Sequence, residues 1–113
     1  MLIKKEDARL TYSPNSCLIS EYDHPTKCLS CARAIINGRY PENKRAVNLE
    51  CEQIYYVISG SGEIHSDKGD FEVQEGDSYH FERREKFWVN GSRLVLVVMN
   101  SPRWDKEQYE VVD

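Results

Sequence analysis

Turn signals recur at nearly even intervals along the middle of this chain, and they constrain its fold more than any other feature. Five glycine-containing turn sequences lie between residues 37 and 91: Asn37-Gly38, Gly60-Ser61-Gly62, Asp67-Lys68-Gly69, Glu75-Gly76-Asp77 and Asn90-Gly91. The segments between them are short and rich in β-branched and aromatic residues. Short strands separated by glycine turns predict an all-β antiparallel sandwich or barrel. We expect Asn90-Gly91 to form a tight hairpin, because both central positions of a type I′ turn need a positive φ.

The chain has 113 residues, which is enough for one domain with one hydrophobic core. We divide that domain into an N-terminal extension (1–27) with a short strand at 17–22, a barrel core (28–100) and a C-terminal cap (101–113). Because Pro102 opens the last segment, we predict a short helix or cap there.

The charge distribution argues against several classes of partner. The formal net charge is −4, which disfavours nucleic acid and anionic membrane surfaces. The first residues, MLIKKEDARL, carry charges where a secretion signal has its apolar core. The longest apolar run, 94–99, is far shorter than the ~20 residues that span a bilayer. We therefore expect a cytoplasmic protein without a nucleic-acid or membrane partner.

The cysteines Cys28 and Cys31 have the spacing of a zinc or redox pair. They lead into a predicted strand at 29–36, however, and residues three apart in a strand face opposite sides of the sheet. No second Cys-x-x-Cys or His pair completes a tetrahedral set. We interpret the cysteines as reduced, buried and structural.

Two predicted strands, 54–58 and 94–99, are apolar at every position rather than at alternate positions. A barrel strand buries only its inward side chains, so the outward side chains of these strands need a cover. A second copy of the chain would provide one, and we predict a homodimer.

The stretch EQIYYVISGSG at 52–62, the turn Glu75-Gly76-Asp77 and the ending NSPRW at 100–104 resemble the motifs of the cupin superfamily. The resemblance spans roughly residues 28 to 110. It implies a cupin-type double-stranded β-helix, which is a jelly-roll-like antiparallel barrel, often dimeric, with a pocket at one mouth.

The resemblance also locates the positions of the family's metal ligands, which are three histidines and a glutamate. Counting from Gly60 places the ligands of the first motif at Ala46, Asn48 and Gln53, and the histidine of the second motif falls at Phe87. Alanine and phenylalanine supply no ligand atom, and neutral amides are weak ligands for the metals these barrels bind. The resemblance therefore predicts a cupin that uses no metal or other cofactor. An unconventional metal site would have to use His65, His80 and Glu52.

A pocket that lacks a metal can still bind a small polar or sugar-like metabolite. The amides Asn48 and Gln53 offer neutral donors and acceptors, and aromatic side chains offer a wall. The predicted ligand-binding residues are Asn48, Gln53, Tyr55, Phe87, Trp88 and, at the rim, Arg39. An alternative is that these side chains pack the barrel shut, and that the protein serves self-association or partner binding.

A third possibility is an enzyme, namely a metal-free isomerase, epimerase or lyase. His80 lies in a predicted barrel strand, and a histidine can act as a general base when a tyrosine such as Tyr56 or Tyr79 supplies the acid. The candidate catalytic residues are His80, Glu52 and Tyr56. The sequence does not determine whether Glu52 or Gln53 faces the pocket, because a register shift of one residue exchanges their positions.

Overall fold

The computed structural model describes residues 1–13 and 16–113, and this part of the chain forms one strongly curled antiparallel sheet. Its strands are β1 (Arg9–Ser13), β2 (Cys17–Tyr22), β3 (Ser30–Tyr40), β4 (Arg45–Asn48), β5 (Glu52–Ser66), β6 (Gly69–Gln74), β7 (Ser78–Phe81), β8 (Lys86–Ser101) and β9 (Tyr109–Val112). Single turns of 3-10 helix span Lys5–Asp7 and Lys106–Gln108. The predicted all-β, cupin-type barrel is confirmed. No helix in the described ranges is long and apolar enough to cross a membrane.

The long strand β8 organises the sheet. It pairs with β3 on one side and with β5 on the other, and its first residues also pair with β4. The order β1-β2-β3 extends the sheet beyond β3, while β6 and β7 pair with different parts of β5. The last strand, β9, pairs with β4. The sheet curls around its inner face, where the core lies.

Period-two alternation decides which side chains reach that core. In β5 the side chains of Gln53, Tyr55 and Val57 are buried, while those of Ile54 and Tyr56 are exposed. The question left open by the sequence is thereby answered, because Gln53 faces inward and Glu52 does not. The largest fully buried side chains are Phe81, Phe87, Ile36, Ile64, Leu94, Leu96, Val57 and Val89.

Three of the predicted turns are wrong, since they lie inside long strands. Asn37-Gly38 lies within β3, Gly60-Ser61-Gly62 within β5, and Asn90-Gly91 within β8. The strands stay paired through these points with shifts of register between residues 36 and 38 and between residues 57 and 61. The glycines permit bulges and close backbone approach rather than chain reversal. The predicted turns at 67–69 and 75–77 are present.

Both ends of the chain add strands to the same sheet. The predicted strand at 17–22 is confirmed as β2, and β1, which was not predicted, pairs with it. The predicted C-terminal helix is one 3-10 turn, capped by the Asp105 carboxylate, which accepts from the backbone amides of Glu107 and Gln108. The strand β9 follows at once and was also not predicted.

The prediction that the cysteines are buried is wrong for Cys28, which is exposed, and only partly right for Cys31, which is half-buried. The strand β3 begins at Ser30, so Cys28 lies before the strand rather than within it. Cys17 and Cys51 are buried, and all four thiols are free.

Candidate ligand-binding cavity

The curled sheet encloses a cavity of about 470 Å³ against its inner face. Side chains from β1, β2, β3, β4, β5, β8 and β9 line it, together with the segment before the second 3-10 turn. The volume falls within the range of pockets that hold small molecules. Much of the wall is apolar and includes Cys17, Ile19, Ala32, Ala34, Ile36 and Val98.

Two alanines on β3 keep the cavity open. Ala32 pairs with Glu21 on one side and Val98 on the other, and Ala34 pairs with Ile19 and Leu96 in the same way. Both alanines are buried and line the cavity. Because a methyl group is all that each alanine projects from the sheet, the centre of the inner face stays unfilled.

One polar region of the cavity is a network of neutral side-chain amides. Gln53 Nε2 donates to Asn100 Oδ1 at 2.8 Å, and Asn48 Nδ2 lies 3.5 Å from Gln53 Oε1. Asn48 Oδ1 accepts from Gln108 Nε2 at 2.9 Å and from Trp104 Nε1 at 3.0 Å. The network holds Asn48 and Gln53 in fixed orientations at the cavity wall. It offers further N–H donors and carbonyl lone pairs to a ligand, and none of these amides carries a charge.

The donors at these positions do not fit a transition metal. Asn48 Oδ1 already accepts two hydrogen bonds, and Gln53 is held by Asn48 and Asn100. Ala46 and Phe87 contribute hydrocarbon only, whereas Fe, Mn, Ni and Zn sites are built from imidazole, carboxylate or thiolate. Within residues 1–13 and 16–113, no three His, Cys, Asp or Glu side chains are grouped closely enough to hold a metal ion.

Three tyrosines add hydroxyl groups to the cavity. The hydroxyls of Tyr40 and Tyr109 are 2.7 Å apart and hydrogen-bonded to each other. The hydroxyl of Tyr55 has no hydrogen-bond partner among the described residues. Burial raises the pKa of all three phenols above the ordinary tyrosine value, so each is neutral at physiological pH.

Phe87 and Tyr55 belong to an aromatic cluster that forms part of the same wall. The ring centroids of Phe87 and Phe81 are 4.3 Å apart, and those of Tyr55 and Phe81 are 4.8 Å apart in an edge-to-face arrangement. Such pairs stabilise the core beyond their buried area. The predicted residues Asn48, Gln53, Tyr55 and Phe87 therefore all line one cavity.

Trp88 and Arg39 lie outside that cavity. The guanidinium carbon of Arg39 is 3.9 Å from the centroid of the Trp88 ring, and the His65 ring stacks on Trp88 at 3.9 Å. Trp88 follows Phe87 in the same strand, so the two side chains point to opposite faces of the sheet. The predicted aromatic wall thus contains Phe87 without Trp88, and Arg39 makes a cation–π contact on the outer surface.

The candidate catalytic residues also lie on the outer surface. His80 Nε2 is 3.0 Å from Glu52 Oε1, and Arg83 Nη2 is 3.6 Å from Glu52 Oε2. The His80 and Glu52 side chains are about half exposed, and Tyr56 is 43% exposed. None of the three lines the cavity, so the structure brings Glu52 and His80 together without a pocket around them.

Several residues that line the cavity were not predicted from the sequence. Glu21 and Arg9 come from the N-terminal strands, Asn100 from β8, and Tyr109 and Lys106 from the C-terminal segment. For Glu21 a signal was present. Alternation in β2 puts it on the same face as Cys17 and Ile19, and a charged residue on an apolar face is an informative exception.

Comparisons with known proteins yield structural similarity only. No protein-family model matches the sequence, and no curated protein matches it either. A structure of the Streptomyces nucleoside dehydratase Pac13 superposes with a TM-score of 0.90 at 14% identity, covering 99% of this chain and 90% of that one. A Pac13 variant with uridine also has a TM-score of 0.90, at 14% identity, and covers 99% of this chain and 89% of that one.

An RmlC-like cupin from Shewanella frigidimarina superposes with a TM-score of 0.74 at 12% identity, covering 93% of this chain and 92% of that one. Identities this low establish the fold and nothing finer. Together with the curled sheet and its cavity, they identify this chain as a small cupin-fold protein that has neither histidine nor glutamate at the positions of the usual metal ligands.

Proposed function

We propose that this protein binds a small neutral polar metabolite, of the size of a nucleoside or a sugar, in the cavity and without a metal or other cofactor. The observation that carries the proposal is the combination of an open cavity of about 470 Å³ with neutral amide and phenol groups on its wall. The polar atoms of a ligand would take over the hydrogen bonds that these groups make to water, and the rings of the ligand would contact the apolar wall. The uncharged amides and phenols suit a neutral polar ligand, because they supply hydrogen-bond donors and acceptors without a net charge.

A nucleoside is the first compound to test. A Pac13 variant of closely similar fold was solved with uridine, and the cavity here is large enough for a ring joined to a sugar. The second N–H and the second carbonyl lone pair of the Gln53 amide complement the C=O and N–H groups of a pyrimidine edge. The aromatic ring of Phe87 offers a flat apolar contact.

Filling the cavity tests this proposal. Uridine, cytidine, D-ribose and D-glucose would be titrated while the thermal unfolding of wild type and Ala34→Leu is followed. A ligand at 100 times its Kd stabilises the folded state by about 2.7 kcal/mol, and we expect at least one compound to raise the wild-type Tm accordingly. The leucine side chain would occupy the space beside Ile19, so Ala34→Leu should lose the shift.

Ser20→Leu is the matched control, because it adds the same side chain to the adjacent strand on the opposite face. It should retain the ligand-dependent shift. An equal shift in wild type and Ala34→Leu would place the ligand elsewhere on the protein. If none of the four compounds shifted the wild-type Tm, the proposal would fail in favour of a barrel that serves association.

We also propose that the chain forms a homodimer through the outer face of β5 and β8. This face carries an exposed outer apolar patch made of Ile54, Tyr56, Ile58, Val97 and Met99. Four of these side chains are 40% exposed or more, and Val97 is half-buried. Contiguous apolar surface of this kind is typical of interaction sites.

The charges beside the patch support a second copy as the partner. Met99 pairs with Cys31 on one side and Ile54 on the other. Arg33 is on β3, two residues after Cys31, and Glu52 is on β5, two residues before Ile54. Since β3 and β5 run in the same direction on either side of β8, Arg33 and Glu52 lie at equal distances from Met99 in opposite directions. A two-fold axis in the interface, through Met99 and perpendicular to the line between Arg33 and Glu52, therefore places each arginine opposite the glutamate of the other copy.

Sedimentation at several protein concentrations tests the dimer. Wild type should approach twice the chain mass of 13.2 kDa. Met99→Lys should raise the dimer dissociation constant at least tenfold, because an ammonium group would be buried at the centre of the interface. Phe71→Lys, which changes an exposed apolar side chain on β6, should leave it unchanged. A wild-type protein that sediments as a monomer at every concentration would refute the dimer.

A further inference from the structure

The side chain of Glu21 is a carboxylate on the cavity wall that has few hydrogen-bond donors or cations around it. Glu21 lies on β2 with the parity of Cys17 and Ile19, and its neighbour across the sheet is Ala32. Its side chain is 19% exposed. It is also the one acidic residue among the described residues that line the cavity.

The nearest cation is already committed to another acid. Arg9 donates to Asp23 through Nε at 2.9 Å and through Nη2 at 3.1 Å, whereas its closest approach to Glu21 is 4.0 Å. No donor among the described residues makes a hydrogen bond to the Glu21 carboxylate. A carboxylate that has lost most of its water and has gained no donor is a poor component of a folded protein, unless a ligand supplies the donor.

Glu21 lies on the same row across the sheet as Tyr55, whose hydroxyl also has no hydrogen-bond partner among the described residues. Register pairs Glu21 with Ala32, Ala32 with Val98, and Val98 with Tyr55, so all four lie on one row across the sheet. Glu21 and Tyr55 both line the cavity, and only the small side chains of Ala32 and Val98 separate them along that row. A free acceptor and a free hydroxyl therefore stand at the two ends of one open row.

We propose that Glu21 binds a hydroxyl or amino group of the cavity ligand, while the hydroxyl of Tyr55 binds a second polar atom of the same molecule. The ligand class is a molecule with a hydrogen-bond donor at one end and a carbonyl or hydroxyl oxygen at the other, such as a nucleoside held through its sugar hydroxyls. Because it requires a ligand in the cavity, this inference rests on the proposed function.

Ionisation of Glu21 makes the affinity depend on pH. Burial is the main cause that raises the pKa of Glu21 above its ordinary value, and Asp23 raises it further while Arg9 and Arg103 oppose the shift. Lys106 is the remaining charged group at the cavity. Binding of a donor needs the ionised carboxylate, so affinity should be full above the pKa of Glu21 and fall as the pH drops through it. Arg9 holds the pKa of Asp23 below its ordinary value, so Asp23 takes up its proton at a lower pH than Glu21 does.

Glu21→Gln tests the inference with uridine as the probe. At pH 7 the Kd should rise about tenfold or more, because a hydrogen bond to a charged group is replaced by one to a neutral group. The fall in wild-type affinity as the pH drops through the pKa of Glu21 should also disappear in the variant. Tyr55→Phe should raise the Kd by a smaller factor. Glu110→Gln, the same change at an exposed position of β9 outside the cavity, should alter neither the Kd nor its pH dependence.

A second readout needs no ligand. The folded-state pKa of Glu21 lies above the unfolded one, so the folded protein binds the proton more tightly and loses stability as the pH rises through both values. Glu21→Gln should therefore raise the Tm of the free protein at pH 7, and the gain should vanish near pH 4. Uridine binding to wild type with an unchanged Kd in Glu21→Gln would overturn this inference alone. If wild type bound D-ribose or D-glucose but neither uridine nor cytidine, the inference would be overturned for nucleosides. Absence of binding by all four compounds would overturn it together with the proposed function.

Discussion

Gly60→Ala should lower the free energy of unfolding by more than about 4 kcal/mol, a loss that single substitutions seldom cause. Gly60 lies inside β5 where the register with β8 shifts, and its φ is +81°. A Cβ atom there would come within 1.9 Å of the carbonyl oxygen of Arg93 and 2.6 Å of its carbon. Both contacts are with backbone, so no side-chain rotation relieves them, and the pairing of the two longest strands has to open.

Gly76→Ala separates the effect of crowding from the effect of φ. Gly76 also has a positive φ, +89°, but nothing lies within 4 Å of a Cβ added there. An alanine in the left-handed region should cost only about 1–2 kcal/mol. Urea unfolding of the two variants and wild type measures the difference. Equal losses at Gly60 and Gly76 would show that conformational strain, rather than close approach of β5 and β8, accounts for the effect.

Phe87→Ala should cost about 3 kcal/mol of stability and also weaken ligand binding. Phe87 is 2% exposed and packs on Phe81, with ring centroids 4.3 Å apart. Removal of a buried phenylalanine costs roughly 3–5 kcal/mol through lost burial and cavity formation. We expect the lower end of that range, because one side of the Phe87 ring already borders the open cavity.

Phe71→Ala is the matched control, since Phe71 is 38% exposed and lies on β6 away from the cavity. It should cost less than about 1 kcal/mol and leave ligand affinity unchanged. Stability would be measured by urea unfolding and affinity by calorimetry with whichever neutral compound stabilises wild type. A loss of 5 kcal/mol or more with no effect on binding would mean that Phe87 belongs to a closed core instead of a cavity wall.

Local pattern predicted the all-β barrel and four of the side chains that line its cavity. Turn residues, strand length and alternation indicate an all-β fold. Counting from Gly60 placed Asn48 and Gln53 correctly on the cavity, because spacing within one motif is short and regular. Trp88 was predicted as part of the aromatic wall with Phe87, but its side chain points outward while that of Phe87 points inward. Adjacent residues of one strand point to opposite faces, and this parity distinguishes Trp88 from Phe87.

The three misplaced turns have a different cause. A glycine beside asparagine or serine allows a positive φ whether the chain reverses or a strand bulges, as at Gly38 and Gly60. The φ of Gly91 is not positive, and glycine is needed there for close backbone approach. At Gly91 the alternative is decided by β3, since a Cβ there would come within 2.3 Å of the carbonyl oxygen of Ile36. The sequence around Gly91 carries no information about that neighbour.

By itself the sequence determined the fold class and the neutral residues at the family's ligand positions, because both depend on local composition and short-range spacing. Only the tertiary structure decided which distant residues complete the cavity. Gln108 reaches Asn48 across 60 residues, and Asn100 reaches Gln53 across 47. Glu21 and Tyr55 share a row only because β2, β3, β8 and β5 pair in that order and register. Strand order and register arise from the packing of the whole sheet, and no single segment encodes them.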